Sequence, residues 1–478
     1  MEEAKKYIQA FLSQNKKEVP QSKLSLLDKF IANEEIINSV KIIQENQKMI
    51  MVNWTLKTRI DDIILQSVLL PNGTVNKKYE AKIDFIKLGW NDVIYIEIKG
   101  LEETGLDFNN GEELLYGNPI VNGDLKIRLL FRIEGEAEDS KLNEKIITII
   151  INPDPKSLWK DIESDKKDPY WKEDNVAISS KFLDKNIVLA SKRGRSHANV
   201  GSFRDDDFAF KNINETGWSV VVVSDGAGSA SLSRQGSKLS CELVLSYFEE
   251  NFTDEYLKEF DDNLLNHHHK TDEESSKKIS LFVYDNLSKA AWFVHKELEK
   301  FAATLERPLK DLHATLIFSL VKKYDFGYAI LTFGIGDCPI GLLNKDLTEI
   351  KLMNLLDVGE FGGGTRFITM PEIFQSDKFS TRFGFKLVDD FSYLILMTDG
   401  IYDPKFVVEA NLEKIEKWNE FLEDLQGKNE DNYSVDLNKE NTEIANQLST
   451  WMDFWNPGNH DDRTLAIIYA IIIFVFPL

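Results

Sequence analysis

The sequence has few cysteines and no apolar run of membrane-spanning length. Its 478 residues contain two cysteines, Cys241 and Cys338, which excludes a disulfide framework and is typical of a reducing compartment. We therefore expect a cytoplasmic protein. The apolar stretch at residues 464–478 is shorter than the roughly 20 residues of a membrane helix. We expect a final buried strand there in preference to a tail anchor or an interface strand.

An excess of basic charge is also lacking. The chain has 79 acidic and 57 basic residues and a net charge of −22. Nucleic acid is not expected as a partner, because binding to phosphate backbones requires a basic face. The charge fits a protein that binds cations or basic partners.

The hydrophobic pattern changes along the chain and divides it. Apolar residues recur at helical spacing over about residues 1–48, and from about Trp54 they alternate with period two. We predict an N-terminal domain over residues 1–152, with a helical preface and a small β-sandwich, whose role is regulation or binding. No internal repeat is found.

A connector follows at residues 153–175. It is rich in Pro, Asp and Lys but also contains Trp159 and Trp171, which a solvated linker rarely carries. We expect it to pack on a neighbouring surface. The second predicted domain covers residues 176–478.

Aspartates recur in the second domain where predicted strands end or turns begin. A single aspartate at such a position is usually a turn or cap residue. Taken one at a time, the aspartates of this domain can all be interpreted in that way. Strands of one sheet bring their ends together, however, so carboxylates far apart in sequence can converge. The aspartates concerned are Asp205, Asp206, Asp207, Asp225, Asp337, Asp399, Asp461 and Asp462.

Converging carboxylates repel one another unless a cation neutralises them. With oxygen ligands alone, the expected cation is Mg²⁺ or Mn²⁺ and not zinc. Two such ions suit hydrolytic phosphoryl chemistry, because they activate water and hold phosphate oxygens. A glycine follows both Asp225 and Asp399, which lets the backbone approach an ion closely.

The order of the motifs resembles the metal-dependent protein phosphatase family, type 2C, in a bacterial-like form with an extra N-terminal domain. The resemblance covers roughly residues 180–472. It implies an α+β domain built as a four-layer α-β-β-α sandwich. The segments that carry it are RDDDFAF, VVSDGAGSASLSRQGSKLS, HATLIFSLV, LTFGIGDCPIGLL, GEFGGGTRFIT, LILMTDGIYD and DDRTLAII.

The resemblance, carried over residue by residue, implies a ligand set for two metal ions. Asp225 bridges both ions, and the carbonyl of Gly226 binds one of them. Asp399 and Asp461 complete the first ion's ligands, and Asp205 is the acidic ligand of the second.

Three further aspartates have implied roles. Asp206 orients the water of the metal site, and Asp337 matches a weaker third metal position of some members. Asp462 stands where many members have Asn, and supports its loop.

The chain departs from the family pattern at several positions. The phosphate-binding arginine usually lies four residues before the first acidic ligand, where this chain has Gly201; Arg195 and Arg204 are the candidates for that role, or it is unfilled. The histidine that often follows the first Asp-Gly is replaced by Ala227.

A nearby histidine bears on the second of these departures, and a third departure concerns the opening motif. His197 is a candidate for the missing acid, or has a structural role. Asp205 stands where Glu or Gln is more usual, and its side chain is shorter.

The sequence thus predicts a serine/threonine protein phosphatase that uses a water activated by two metal ions. No cysteine lies in a recognisable phosphate loop, which argues against a thiol mechanism. The expected partners are a phosphoprotein substrate and a cognate kinase. The alternative is a weak or inactive phosphatase-like adaptor that binds a partner through the N-terminal domain. Residues 405–457 are expected to form a helical insert, either a substrate-selecting flap or a structural element.

Overall fold

The computed structural model of the chain describes residues 2–357, 364–438 and 440–470. The chain forms two compact units, Met1–Leu158 and Trp159–Leu478. In the described residues, no helix combines the length and the apolar character needed to cross a membrane.

The N-terminal unit combines four helices and two small sheets in its described residues. The alternating apolar residues predicted to face a core do so: Ile127, Leu129 and Phe131 of one strand pack with Ile147 and Ile149 of the next. The sheet orders are β1-β7-β6-β3 and β2-β5-β4. The elements are α1 Glu2–Gln14, α2 Leu24–Ile31, α3 Glu34–Leu65, β1 Gly73–Thr74, β2 Tyr79–Lys82, α4 Phe85–Leu88, β3 Val93–Lys99, β4 Leu106–Asn109, β5 Leu114–Gly117, β6 Gly123–Ile133 and β7 Asn143–Asn152.

The C-terminal unit is built on two larger, antiparallel sheets. Their strand orders are β10-β11-β12-β13-β16 and β15-β14-β17-β18-β9-β8. The elements are β8 Asn175–Phe182, β9 Lys185–Lys192, α5 Arg195–Val200, β10 Asp207–Ile213, β11 Trp218–Ser224, α6 Ser233–Asn251, α7 Asp254–His269, α8 Glu273–Thr304, β12 Leu316–Tyr324, β13 Gly327–Ile335, β14 Ile340–Asn344, β15 Ile350–Leu352, β16 Phe383–Val388, β17 Phe391–Met397, α9 Asp399–Phe406, α10 Ile415–Leu425, α11 Ile444–Trp451 and β18 Arg463–Tyr469.

Three cores lie between the layers of this unit. Residues of α6, α7 and α8 pack on the five-stranded sheet. Residues of both sheets pack against each other in the middle, and α9, α10 and α11 cover the six-stranded sheet. This order of helices, sheet, sheet and helices confirms the predicted α+β fold.

The burial of strand β11 on both faces explains its four consecutive valines, residues 220–223. Successive side chains of a strand point to opposite faces. Val220 and Val222 therefore enter the core under the helices, whereas Val221 and Val223 enter the core between the sheets. A strand that is buried on both faces needs apolar residues at every position, and this strand ends at the aspartate of the site.

The segment predicted as a helical insert contains the end of α9 and all of α10 and α11. Trp418 and Trp451 are buried in the core on that side of the sheet. Its role as a flap or as a structural element stays a prediction. The predicted final strand is β18, and residues 471–478 of the apolar tail lie outside the described residues, as does part of GEFGGGTRFIT.

Candidate metal centre

The strand register brings the predicted aspartates to one end of each sheet. In the five-stranded sheet, Asp207 pairs with Ser224, so Asp206 and Asp225 lie at the same end. In the six-stranded sheet, Met397 pairs with Leu465, so the residues just after β17 and just before β18 are also neighbours. Antiparallel pairing therefore gathers carboxylates that the sequence separates widely.

Asp225 has a fully engaged backbone and a carboxylate that faces its neighbours. Its N–H donates to Thr315 Oγ1 at 2.9 Å, and its carbonyl accepts from the N–H of Thr315 at 2.8 Å. Ligand atoms of Asp225, Asp337 and Cys338 all lie within 4.8 Å of one another. The strand end is thus pinned, and the side chain is held among other metal-ligating groups.

Asp206 joins the two sheets. Its Oδ2 accepts from Thr398 Oγ1 at 2.9 Å and from Thr464 Oγ1 at 2.8 Å. Both threonines belong to the second sheet's strand ends, whereas Asp206 leads into β10 of the first. Burial, with the charges of Asp462 and Asp461, raises the pKa of Asp206 to about 7.

The electrostatics favour a cation at this place. Burial and the charges of neighbouring carboxylates raise the pKa of Asp225 well above its usual range, and the neighbours are Asp399, Asp206, Asp461 and Asp337. The pKa of Asp399 is raised for the same reasons. Negative groups that disfavour one another's ionisation are stabilised together by a divalent ion.

The surroundings of one buried oxygen, Asp337 Oδ1, indicate whether the site fits an ion. Asp337 Oδ2 accepts from Thr365 Oγ1 at 2.9 Å, but its Oδ1 is buried without a hydrogen-bond partner among the described residues. A buried carboxylate oxygen without a donor is costly, and a cation supplies the missing partner. Because the neighbouring donors are mostly carboxylate oxygens, the site fits Mg²⁺ or Mn²⁺. The Cys338 thiol stays protonated, since burial raises its pKa well above the usual range.

The two glycines after the aspartates are needed for close packing between the strand ends. A Cβ at Gly226 would lie 2.5 Å from the carbonyl oxygen of Asp205, and one at Gly400 would collide with the carbonyl oxygen of Asp462. Only glycine allows these approaches.

His197 and Asp462 form a second group beside the first. Asp462 Oδ1 accepts from the Gly194 N–H at 2.6 Å and from His197 Nδ1 at 3.0 Å, and its Oδ2 accepts from the Asp205 N–H. Burial lowers the pKa of His197, but Asp462, Asp205 and Asp461 outweigh this effect and raise it to about 9. Asp462 thus holds the opening segment in place.

The two aspartates of the opening segment have different surroundings. Asp205 lies with His197, whose Nε2 is 3.8 Å from Asp205 Oδ2, and burial and the charge of Asp462 raise its pKa to about 6. The charge of Asp206, by contrast, acts on both Asp225 and Asp399. The role of Asp205 as a metal ligand and the role of Asp206 in orienting water both stay predictions.

The two candidate arginines are placed differently from one another. Arg204 is 2% exposed and donates to Glu173 O at 3.0 Å, Ser191 Oγ at 2.6 Å and Asp206 O at 2.6 Å. Its guanidinium is bound to groups inside the protein. A contact of Arg204 with substrate phosphate stays a prediction.

Arg195 lies at the start of α5 and is more accessible. Its guanidinium donates to Phe454 O at 3.1 Å and to Asp453 O at 2.6 Å, and it stacks on the ring of Trp455 at 5.5 Å. These contacts hold the loop before Asp461. A contact of Arg195 with phosphate stays a prediction.

Sequence reasoning missed the residues that position the aspartates through their backbone or their carboxylates. Thr315, Thr398 and Thr464 each donate to or accept from an aspartate of the site, and Lys172 lies behind it. A signal was present for the threonines, since each lies within a motif, next to or close to an aspartate or its strand. No local pattern marks Lys172.

A comparison with protein families finds this same part of the chain. Residues 193–452 match the family described as protein phosphatase 2C, more than half of the 478 residues. The chain belongs to the protein phosphatase 2C family. It is accordingly a protein serine/threonine phosphatase. The match ends before Asp461, which the fold nevertheless brings to the other aspartates of this phosphatase.

In solved structures, 137 chains are similar to this phosphatase 2C chain. A bacterial serine phosphatase is 13% identical, with 60% of this chain and 98% of that chain covered and a TM-score of 0.35. Serine/threonine phosphatase Stp1 from Staphylococcus aureus is 14% identical, with coverages of 61% and 96% and a TM-score of 0.35. The catalytic domain of PstP, in complex with 2 manganese ions, is 13% identical, with coverages of 62% and 100% and a TM-score of 0.36. A comparison with curated proteins gave no match. The family assignment rests on the family match.

Proposed function

We propose that this phosphatase hydrolyses phosphoserine and phosphothreonine in proteins by direct attack of water at a centre of two Mn²⁺ or Mg²⁺ ions. The observation that carries the proposal is the convergence of Asp225, Asp337, Asp399 and Asp206 at the ends of both sheets, with mutually raised pKa values. Bound there, two divalent ions would lower the pKa of water and polarise the phosphate oxygens.

The residues that would hold the ions are those of the strand ends. Asp225 would bridge the ions, and the carbonyl of Gly226 would bind one of them. Asp399 and Asp461 are proposed for the first ion. Asp205 is proposed for the second. Asp337, whose buried Oδ1 has no hydrogen-bond partner among the described residues, is proposed for a third.

Asp206 is proposed to hold the attacking water. Its Oδ2 is occupied by the hydroxyl groups of Thr398 and Thr464, which fix the plane of the carboxylate. Its Oδ1 can then accept a hydrogen bond from water in a fixed direction. A carboxyl with a pKa near the working pH is also suited to take up a proton.

Metal removal tests the proposal. The full-length protein, stripped with EDTA and assayed on a phosphothreonine peptide, should show no turnover, and Mn²⁺ or Mg²⁺ should restore it. Calcium at the same concentration serves as a control for charge screening, because its longer bonds and looser geometry differ from those of Mg²⁺. Full turnover of the stripped protein in excess EDTA would contradict the two-metal mechanism.

A further inference from the structure

A buried lysine stands behind the metal centre, outside the residues that match the family. Lys172 is 8% exposed and precedes the matched residues 193–452. Its Nζ donates to Asp206 O at 2.7 Å and to Asp207 Oδ2 at 2.9 Å. Longer contacts reach Ser237 Oγ at 3.3 Å and Asp205 O at 3.5 Å. One ammonium group thus binds two backbone carbonyls of the acidic segment and the carboxylate of Asp207.

The peptide carbonyl of Asp206 is held by two cations at once. Arg204 Nη1 donates to the same oxygen at 2.6 Å, and lies 3.6 Å from Asp207 Oδ1. The backbone carbonyl of Asp206 is therefore held by Lys172 and Arg204. Its carboxylate is held by Thr398 and Thr464.

Lys172 reaches this place because the connector packs on its own unit. Trp171 Nε1 donates to Ser164 Oγ at 3.0 Å. Asp168 pairs with Arg234 at 2.9 Å, and Arg234 Nε donates to Tyr170 O at 3.2 Å. The residues on the N-terminal side of Lys172 are thus bound to one another and to α6. These contacts fix the position of the lysine next to the acidic segment.

We infer that Lys172 is a positioning residue of the metal centre, which holds Asp205, the proposed metal ligand, and Asp206, the proposed water-holding residue, in their working geometry. The kinetic part of this inference rests on the proposed function, whereas its metal-binding part does not. The alternative role is charge compensation alone, and the two roles predict opposite effects on metal affinity. Removing a nearby positive charge strengthens the attraction of the site for a cation, while loosening the ligands weakens binding.

The test compares Lys172→Met with wild type in the full-length chain. Isothermal titration with Mn²⁺ should show affinity at least about tenfold weaker, the size expected for loss of a group that orients metal ligands. The kcat on a phosphothreonine peptide at saturating Mn²⁺ should also fall, more than KM changes. Lys172→Arg keeps the charge and a donor, and should recover part of both quantities.

Lys185→Met is the matched control. Lys185 is also a buried lysine, 5% exposed, and it also binds one carboxylate and one carbonyl, Asp390 Oδ1 at 2.7 Å and Phe391 O at 3.0 Å. It lies at the opposite end of β9 from the site. This variant should lose thermal stability yet bind Mn²⁺ as wild type does.

Several outcomes would overturn the inference. Mn²⁺ binding by Lys172→Met that is as tight as, or tighter than, that of wild type would assign charge compensation instead. Equal weakening in Lys185→Met would show a general effect of stability. If Lys172→Met fails to fold, Lys172→Gln, which keeps one donor, takes its place under the same criteria. If wild type binds Mn²⁺ but has no turnover, the proposed function fails while the Mn²⁺ comparison still decides the role of Lys172.

Discussion

At the residue scale, hydrogen bonds from neighbouring residues fix the positions of aspartates in the site. The backbone of Asp225 is bound by Thr315, and Asp206 is bound by two threonine hydroxyls. Asp399 lies at the start of α9. Burial and the neighbouring carboxylates raise its pKa. Asp225 and Asp206 are therefore held in place among carboxylates that repel one another, and a cation or a proton relieves this repulsion.

Substitution of one ligand should separate activity from stability. In Asp225→Asn and Asp399→Asn we expect kcat to fall by about a hundredfold or more, because metal charge contributes several kcal/mol to the transition state. The metal-free variants should melt slightly higher than metal-free wild type, since one repelling charge is removed. Kinetics at saturating Mn²⁺ and calorimetry without metal measure the two effects. Asp346→Asn, at an exposed turn, should change neither, and near-normal turnover of either site variant would refute its ligand assignment.

The two arginines should respond differently to alanine substitution. Arg195→Ala should lower kcat/KM by about tenfold or more, the size of a lost charged hydrogen bond of about 1.5–3 kcal/mol, if Arg195 binds phosphate. Arg204→Ala should instead lower the free energy of unfolding by about 1–3 kcal/mol, because buried acceptors lose their donor. Phosphopeptide kinetics and urea unfolding distinguish the two. Unchanged kinetics in Arg195→Ala would mean that the metals bind phosphate without its help.

At the element scale, the site depends on how strands pass into the segments that follow them. Gly226 packs on the carbonyl of Asp205, and Gly400, in the first turn of α9, packs on the carbonyl of Asp462. Each close approach joins one Asp-Gly to the partner segment across the site. The glycines thus set the distance between the strand ends, in addition to giving an ion access to the backbone.

A methyl group at Gly400 should displace the backbone of Asp462 and so disturb the metal centre. Gly400→Ala places a Cβ against the backbone of Asp462, and overpacking of this kind costs about 1–3 kcal/mol. We expect a lower melting temperature and weaker Mn²⁺ binding. Gly228→Ala is the control, because a Cβ there meets no atom within 4 Å. Equal behaviour of the two variants would show that close packing at Gly400 does not matter.

At the scale of the whole molecule, the carboxylates couple stability to pH and to metal. The pKa of Asp206 is raised to about 7 and that of Asp205 to about 6, whereas an unfolded aspartate titrates near 3.9. Between these values the folded state holds protons that the unfolded state has lost. The stability of the metal-free protein therefore falls as pH rises through this range. His197, with its pKa raised to about 9, adds stability that is present below its unfolded value and is lost as pH rises towards 9.

The metal-free protein should consequently be more stable at pH 5 than at pH 7.5, by at least about 1 kcal/mol. Saturating Mn²⁺ should reduce or reverse this difference, because the ion takes the place of the protons. Thermal unfolding at both pH values, with and without Mn²⁺, measures the effect. Asp205→Asn should flatten the metal-free profile, and a profile that rises with pH in metal-free wild type would contradict the assignment.

Fragments should locate the boundary of the functional unit. The predicted domain at residues 176–478 lacks Lys172, whereas the compact unit begins at Trp159. We propose that residues 159–478 bind Mn²⁺ like the full chain and that residues 176–478 bind it more weakly. Titration calorimetry on both fragments decides. Equal Mn²⁺ affinity of the two fragments would support the predicted boundary at residue 176 and would show that the connector does not contribute to metal binding.

Much of the fold and of the site could be predicted from the sequence because local patterns carry it. Unbroken valines indicate a strand buried on both faces, and Asp-Gly at a strand end indicates a tight approach. The family was identified from such segments, and the match over residues 193–452 confirms it. Carboxylates in oxygen-only surroundings were also sufficient to name the class of metal.

Only the tertiary structure decided which neighbours hold those carboxylates. Thr398 and Thr464 bind Asp206 across 192 and 258 residues of sequence, and Lys172 binds it across 34. The hydrogen bonds of Arg204 are a further example, because the sequence shows only that it precedes the acidic cluster, whereas the structure shows that its side chain is buried. Motifs show which groups gather at a site, because each motif is local; the hydrogen bonds that orient them depend on strand register and sheet packing, which no local pattern contains.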